Sequence, residues 1–212
     1  TNGCIFCSEK GSGDFAGDKS KPLDIQFNEI KEIMKKKWPD GYYIAYFQAN
    51  TNTYGTLEKL KETYSKIIKE EGPIDPNIKV LSIATRPDCI NMSVIDLLSK
   101  LKEKTYVRIE IGVESFYDNV LNSINRCHDS ETAIKAIKLL SDVNIDTSVH
   151  LIFGLPNESI KAAKDYARIL SNTNAKFVKL HHLQIVKGSR LAEIYANNNN
   201  FVKLYNLNNY IE

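Results

Sequence analysis

The 212-residue chain is 42% apolar and 25% charged, so disordered, collagen-like and disulfide-scaffold classes drop out and a folded globular domain is left. Its net charge of +2 is too mild to require a nucleic-acid partner or to exclude one. No window approaches the ~18 consecutive apolar residues of a membrane span and no charged-then-apolar leader opens the chain. The expectation is one cytoplasmic domain over residues 1–212 with no membrane partner, a length that a single α/β barrel reaches.

The first feature along the chain is Gly3-Cys4-Ile5-Phe6-Cys7, two thiols at C-x-x-C spacing with Gly11, Gly13 and Gly17 behind them. In a reducing compartment such a pair is a metal half-site or a redox dithiol. Thioredoxin-like use calls for a helix running directly off the motif. A glycine-rich stretch follows instead, which suits a loop wrapped around a thiolate-held cluster.

Residues 23–38 place Ile25, Phe27, Ile30, Ile33, Met34 and Trp38 at helical spacing, which predicts an amphipathic helix ended by Pro39-Asp40-Gly41. The aromatic-rich run 42–47 predicts a strand buried on both faces, stopping in Gln48-Ala49-Asn50-Thr51. A helix is expected over 57–68, a turn over 72–76, a strand over 79–84 and a helix over 93–101 capped by Ser93. Residues 106–112 read as a third strand, followed by helices over 118–124 and 131–140. Strands at 147–153 and 177–183 flank a helix at 160–170, and a further helix starts at 189–195. The Asn-rich tail from Asn197 onward reads as a surface loop or an interrupted element.

Strand and helix alternate at least five times, the pattern of βαβ units with a parallel sheet, open or closed as a barrel. A βα barrel places its active site at the carboxyl ends of its strands, and each of these ends carries polar, glycine or charged residues. The Cys4 loop would hang over that mouth. Cys89 and Cys127 lack C-x-x-C partners and read as loop or core thiols. His181 and His182 point to opposite faces of one strand, so they do not form a joint metal site.

Six blocks end these strands and turns: Tyr46-Phe47-Gln48-Ala49-Asn50-Thr51-Asn52-Thr53-Tyr54, Ser82-Ile83-Ala84-Thr85-Arg86-Pro87-Asp88, Glu110-Ile111-Gly112-Val113-Glu114-Ser115, Ile124-Asn125-Arg126-Cys127-His128-Asp129, His150-Leu151-Ile152-Phe153-Gly154-Leu155-Pro156, and Lys179-Leu180-His181-His182-Leu183-Gln184-Ile185-Val186-Lys187-Gly188. In this order, with the cysteine loop, they resemble the radical SAM superfamily, in the bacterial branch related to Elp3 and oxygen-independent coproporphyrinogen oxidase. The resemblance covers nearly the whole chain.

It implies an α/β fold, a partial (βα)6 TIM-like barrel, and a 4Fe-4S cluster on three cysteines, of which Cys4 and Cys7 match the second and third. The first ligand and first strand are then expected upstream of Thr1 and a further portion after Glu212, so the chain reads as a radical SAM core truncated at both ends. The implied reaction is reductive cleavage of S-adenosyl-L-methionine to a 5′-deoxyadenosyl radical, with an electron donor such as flavodoxin or ferredoxin. The cofactor carries the hard step and the protein orients it.

By the same resemblance, Phe6 packs near the adenine and Gln48, Asn50 and Thr51 address the methionine amine. Arg126 pairs with the methionine carboxylate, which suits a planar guanidinium. Glu114 bonds ribose or the amine, and His150, Phe153 and Gly154 run along the adenosyl part. No catalytic residue beyond the cluster ligands is implied. Thr85, Arg86, Asp88, His181 and Lys187 are candidates for the substrate side, while Cys127 stands where the family commonly has Gly. The relatives imply tRNA as partner, with conversion of carboxymethylaminomethyl- to aminomethyluridine at the wobble position as one role. A porphyrin or other small molecule is the alternative substrate; a non-catalytic barrel module using the C-x-x-C pair for zinc or redox signalling is the reading outside enzymes.

Overall fold

The computed structural model describes residues 3–8 and 17–211; Gly11 and Gly13 behind the cysteines lie outside the described residues. The elements are α1 (Leu23–Lys37), β1 (Tyr43–Phe47), α2 (Leu57–Ser65), the short hairpin β2 (Ile68–Lys69) and β3 (Gly72–Pro73), β4 (Ile78–Thr85), α3 (Met92–Lys102), β5 (Tyr106–Glu114), α4 (Asp118–Ser123), α5 (Ser130–Asp142), β6 (Asp146–Phe153), α6 (Ala162–Ser171), β7 (Phe177–His182), α7 (Arg190–Asn197) and α8 (Leu207–Ile211). Strands β1, β4, β5, β6 and β7 form one sheet in that order, and every neighbouring pair is parallel. The expected α/β partial barrel is therefore present. No helix among the described residues is long and apolar enough to cross a membrane.

The two-residue repeat of a strand gives this sheet two unlike faces. Leu81, Ile83, Ile109, Ile111 and Val149 are fully buried and share one core with Leu98 of α3 and Ile137 and Leu140 of α5. Each such side chain contributes about 1.5–3 kcal/mol on leaving water, so this outer face holds the fold together. The residues between them, Ser82, Arg108, Glu110, Ser148, His150, Lys179 and His181, form the inner face. The register sets them side by side, Ala84 against Glu110 against Ser148, and Gly112 against His150 against Lys179.

A second apolar cluster lies at the carboxyl-end rim. It joins Ile5 of the cysteine loop to Val120, Leu121 and Ile124 around α4, to Ile152 and Leu155, and to Leu183, Leu191 and Val202. The tail is thus no plain surface loop: Val202, between α7 and α8, is buried. Burying Leu191 and Val202 beside Ile5 gives the tail a reason to dock.

Local expectations shift elsewhere too. The first strand is not buried on both faces: only Ala45 is, because β1 lies at the edge of the sheet and Ile44 and Tyr46 face the open inner side. Helix α2 stops at Ser65 because Ile67 and Ile68 turn into the core and Ile68 enters the hairpin. Helix α3 is capped by Asn91, whose Oδ1 accepts the Val94 amide at 3.0 Å, and not by Ser93. That cap starts the helix two residues earlier than its apolar repeat suggests. The amphipathic α1 forms, but none of its residues is buried.

Candidate active site

The cysteine loop is fastened to the barrel rim through its backbone. The Ile5 amide donates to the Ile124 carbonyl at 3.0 Å, the Leu191 amide donates to the Ile5 carbonyl at 2.8 Å, and the Asn125 side chain donates to the Gly3 carbonyl at 2.7 Å. The Cys7 amide closes the turn on the Cys4 carbonyl at 3.2 Å. With Ile5 as its apolar anchor, the loop presents a buried Cys4 and an exposed Cys7. Phe6 is half-buried against the second apolar cluster.

Arg126 reaches this loop from the turn between α4 and α5. Its Nη1 lies 3.3 Å from the Cys4 sulfur, and its Nη2 lies 3.3 Å from the Glu114 carboxylate and donates to the Gly112 carbonyl. The guanidinium is buried, and its Nε has no partner among the described residues. A side chain at Gly112 would displace this pair: a Cβ there would lie 2.6 Å from both Arg126 Nη2 and Glu114 Oε1. Glu114 adopts φ 69° beside an irregularity in the β5–β6 pairing at Gly112/Glu114, a left-handed residue that re-aims a side chain at a strand end.

These contacts set the electrostatics of the thiols. The Cys4 thiol is brought down to about 6, first by the hydrogen bond from Cys7 and then, against the cost of burial, by the Arg126 charge. Cys7 moves the opposite way, because it holds the proton shared with Cys4 and sits beside the negative charge that Cys4 then carries. One thiolate is thus available at neutral pH, and metal ligation needs the thiolate form.

A 4Fe-4S cluster is bound through such thiolates, and the donors present fit two of its ligand positions. Cys4 and Cys7 stand on one anchored turn, and the Arg126 guanidinium, through Nη1, adds positive charge beside Cys4. Among the described residues no set of three or more His, Cys, Asp and Glu groups could hold a metal. Cys89 is half-buried and Cys127 is exposed.

The remaining rim residues divide. After β1, Gln48 and Thr51 are half-buried and Asn50 is exposed at φ 65°. The organiser of this turn is a residue that sequence reasoning passed over, Asn52, whose amide lies 3.0 Å from the carbonyls of Phe47, Ala49 and Ala84. Tyr64 adds a hydroxyl donated to the Asn52 carbonyl at 2.5 Å. Arg86 and Asp88 form a bidentate pair at 2.8 and 2.7 Å on the same rim. Lys187 is exposed beyond β7.

Two candidates are displaced from the roles expected of them. Thr85 does not line the substrate side. Its parity puts it on the outer face, and its hydroxyl is buried 2.5 Å from that of Thr53, which in turn donates to the Cys89 carbonyl. Phe153 likewise turns outward and stacks on Tyr166 of α6, ring centroids 6.0 Å apart. The strand period, opposite to that of His150 and Ile152, is the reason for both. Gly154 closes β6 at φ 91°, and its amide donates to Glu158 at 2.7 Å.

The inner face joins His150 and His181, both candidates from the sequence, to Ser82, Arg108 and Glu110, which the sequence did not single out. Glu110 accepts Ser82 Oγ at 3.0 Å, pairs with Arg108 Nη2 at 2.8 Å and lies 2.6 Å from His150 Nε2. His181 Nε2 lies 3.4 Å from His150 Nδ1. His182 points away, with its ring near Tyr205 and Tyr210. Burial pushes the Glu110 carboxyl up, but the hydrogen bonds from His150 and Ser82 and the Arg108 charge outweigh it and hold it at about 2. Burial, then the charges of His150 and Lys179, lowers His181 to about 4. The available signal was Arg108 and Glu110 at i, i+2 in an otherwise apolar strand.

Residues 1–170 match the family model described as Radical SAM superfamily. The uncharacterized protein YtqA of Bacillus subtilis is 37% identical over 193 residues, 91% of this chain and 58% of that protein. A tRNA uridine(34) acetyltransferase of Methanocaldococcus infernus is 32% identical over 146 residues, 66% of this chain and 27% of that protein. The solved structure of Methanocaldococcus infernus Elp3 with an N-terminal deletion superposes with a TM-score of 0.67 at 23% identity, over 86% of this chain and 45% of that one, and so shares its fold. The chain thus spans a little under three-fifths of YtqA. A parallel half-barrel with an anchored C-x-x-C loop at its rim, matched by the family model over most of its length, belongs to the radical SAM superfamily.

Proposed function

We propose that the protein is a radical SAM enzyme that acts on tRNA, remodelling the carboxymethylaminomethyl group of a wobble uridine to aminomethyl. The observation that carries the class is Cys4, drawn toward its thiolate by Cys7 and Arg126 at the carboxyl-end mouth of a parallel half-barrel. Relationship to an enzyme named for tRNA uridine 34 supports the substrate.

In this reading Cys4 and Cys7 hold two positions of a 4Fe-4S cluster. The cluster and S-adenosyl-L-methionine together supply a hydrogen-abstracting carbon radical, with the electron drawn from a flavodoxin or ferredoxin. The chain's own residues bind and orient. Arg126 offsets the charge of Cys4 and, with Glu114, borders the place of the methionine moiety. Gln48, Asn50 and Thr51 offer polar groups on the β1 rim, Phe6 offers an aromatic edge, and His150 and the Gly154 turn line the β6 side. Arg86, Asp88, His181 and Lys187 are left for the substrate. Residues 1–212 are one core domain of the larger enzyme, which works in the cytoplasm.

The test is anaerobic iron–sulfide reconstitution of the full-length protein, followed by dithionite, S-adenosyl-L-methionine and tRNA bearing carboxymethylaminomethyluridine. The expected products are 5′-deoxyadenosine and, after nuclease digestion, aminomethyluridine by mass spectrometry. 5′-Deoxyadenosine with unchanged tRNA sinks the substrate; absence of both sinks the class.

A further inference from the structure

The inner face carries a directional chain of hydrogen bonds. Glu110 is buried and, as a carboxylate, accepts only. Its 2.6 Å contact therefore places a proton on His150 Nε2. In neutral His150 the other nitrogen, Nδ1, is then a bare acceptor. The 3.4 Å contact from His181 Nε2 must be donated by His181, which leaves the lone pair of His181 on Nδ1. That nitrogen has no hydrogen-bond partner among the described residues. The outermost member of the chain thus ends in a basic nitrogen on the inner face of the sheet.

The surroundings keep this base unprotonated until a ligand offers a proton. His181 is faced by His150 from β6, by Lys179 from its own strand and by Glu110 from β5; Glu110 is itself faced by Arg108, by His150 and, from β1, by Tyr46. Burial first, then the neighbouring His150 and the positive charge of Lys179, disfavour an imidazolium at His181. Glu110 stabilises positive charge once it has passed inward to His150. The long His181–His150 contact suits a relay that tightens when a ligand is present.

We propose that His181 is the general base that takes a proton from the protonated amine of the substrate side chain, and that His150 and Glu110 are positioning residues acting through it. This rests on the wobble-uridine reading above, whose substrate carries a secondary amine. The step balances as proton transfer alone. The ammonium N–H bond breaks as its proton joins His181 Nδ1, the Nε2 proton of His181 moves to His150 Nδ1, and the His150 Nε2 proton stays on its hydrogen bond to the Glu110 carboxylate. The substrate gains a neutral nitrogen whose lone pair weakens the neighbouring C–H bonds toward hydrogen abstraction. An ammonium has no such lone pair.

The test has two arms. Long-range proton–nitrogen NMR of the full-length protein, ¹⁵N-labelled at histidine, reads the tautomers directly. Nε2–H forms at both His150 and His181, with His181 still neutral at pH 5.5, are expected; an Nδ1–H form of His181 or titration near pH 6.5 overturns the relay. In the reconstituted enzyme, His181→Gln is expected to lower aminomethyluridine formation about 100-fold at pH 7, with the loss shrinking as pH rises and the amine ionises unaided. Glu110→Gln should move the pH profile of product formation toward alkaline pH. A loss in His181→Gln that is the same at every pH overturns the base role. If wild-type enzyme leaves the tRNA unchanged while forming 5′-deoxyadenosine, the substrate reading fails and, with it, the amine as proton donor; the NMR arm still decides whether the relay exists.

Discussion

The two faces of the one sheet are built on opposite principles although the same strands supply both. Outward, Leu81, Ile83, Ile109, Ile111 and Val149 pack without exposure against α3 and α5. Inward, Ser82, Arg108, Glu110, His150 and His181 connect by hydrogen bonds and charge. The outer face draws its free energy from removing apolar area from water and tolerates little loss of volume. The inner face places groups that water would otherwise solvate, so it contributes orientation more than stability. Stability and chemistry are thereby separated by a single residue step along each strand.

The largest effect expected from breaking this arrangement lies on the outer face. Ile109→Ala should lower unfolding stability by about 3–4 kcal/mol, because the packed helices cannot close over the lost volume; denaturant titration measures it. A loss below about 1 kcal/mol would mean that the outer face is not the main core. At the rim, Arg126→Met should cost about 3 kcal/mol by leaving Glu114 buried without its cation. It should also raise the Cys4 thiol toward its ordinary value, visible as slower alkylation of the metal-free protein at pH 7.

The inner face should show itself through pH. The Glu110 carboxyl titrates at about 2 when folded, well below its unfolded value, so its contribution is complete above the unfolded value and is lost as pH falls through that range toward 2. The His181 imidazole at about 4 is also depressed. The unfolded chain then binds the extra proton first, and stability falls as pH drops from about 6.5 to 4. Both act in the same direction, so Tm should decline below pH 6.5, and His181→Gln should flatten the upper part of that decline.

The smallest effects test backbone fit and exposure. Cys127 adopts φ 63°, a conformation that costs an L-residue about 1–2 kcal/mol; Cys127→Gly should raise stability by about 1 kcal/mol in thermal melts. Ile44→Thr on the open inner side of β1 should change stability by less than about 0.5 kcal/mol.

Much of the fold was legible in the strands themselves. The buried runs around Leu81, Ile109 and Val149 are apolar enough to announce a parallel sheet, and the strand ends announce where chemistry belongs. Of the residues that the resemblance singles out, the structure brings Cys4, Arg126 and Glu114 together, with Arg126 between the other two. Thr85 and Phe153 were misplaced because a block of residues does not reveal which member of an alternating strand faces inward at its last position. Asn52 was missed because its importance lies in three carbonyls, one of them from another strand, that no local pattern brings together. The tail was missed because its apolar residues find their partner, Ile5, almost at the other end of the chain.

By itself the sequence determined the alternation of strands and helices and the pairing of two thiols on one short turn, since periodicity and spacing are local properties. Only the tertiary structure decided the inner relay. Glu110, His150 and His181 lie on three different strands, and their meeting depends on strand order and register, which arise from packing the outer face against its helices. The C-x-x-C turn gains its buried cation for the same reason: Arg126, more than a hundred residues away, is carried to Cys4 by the folding of β5 and α4 beneath it.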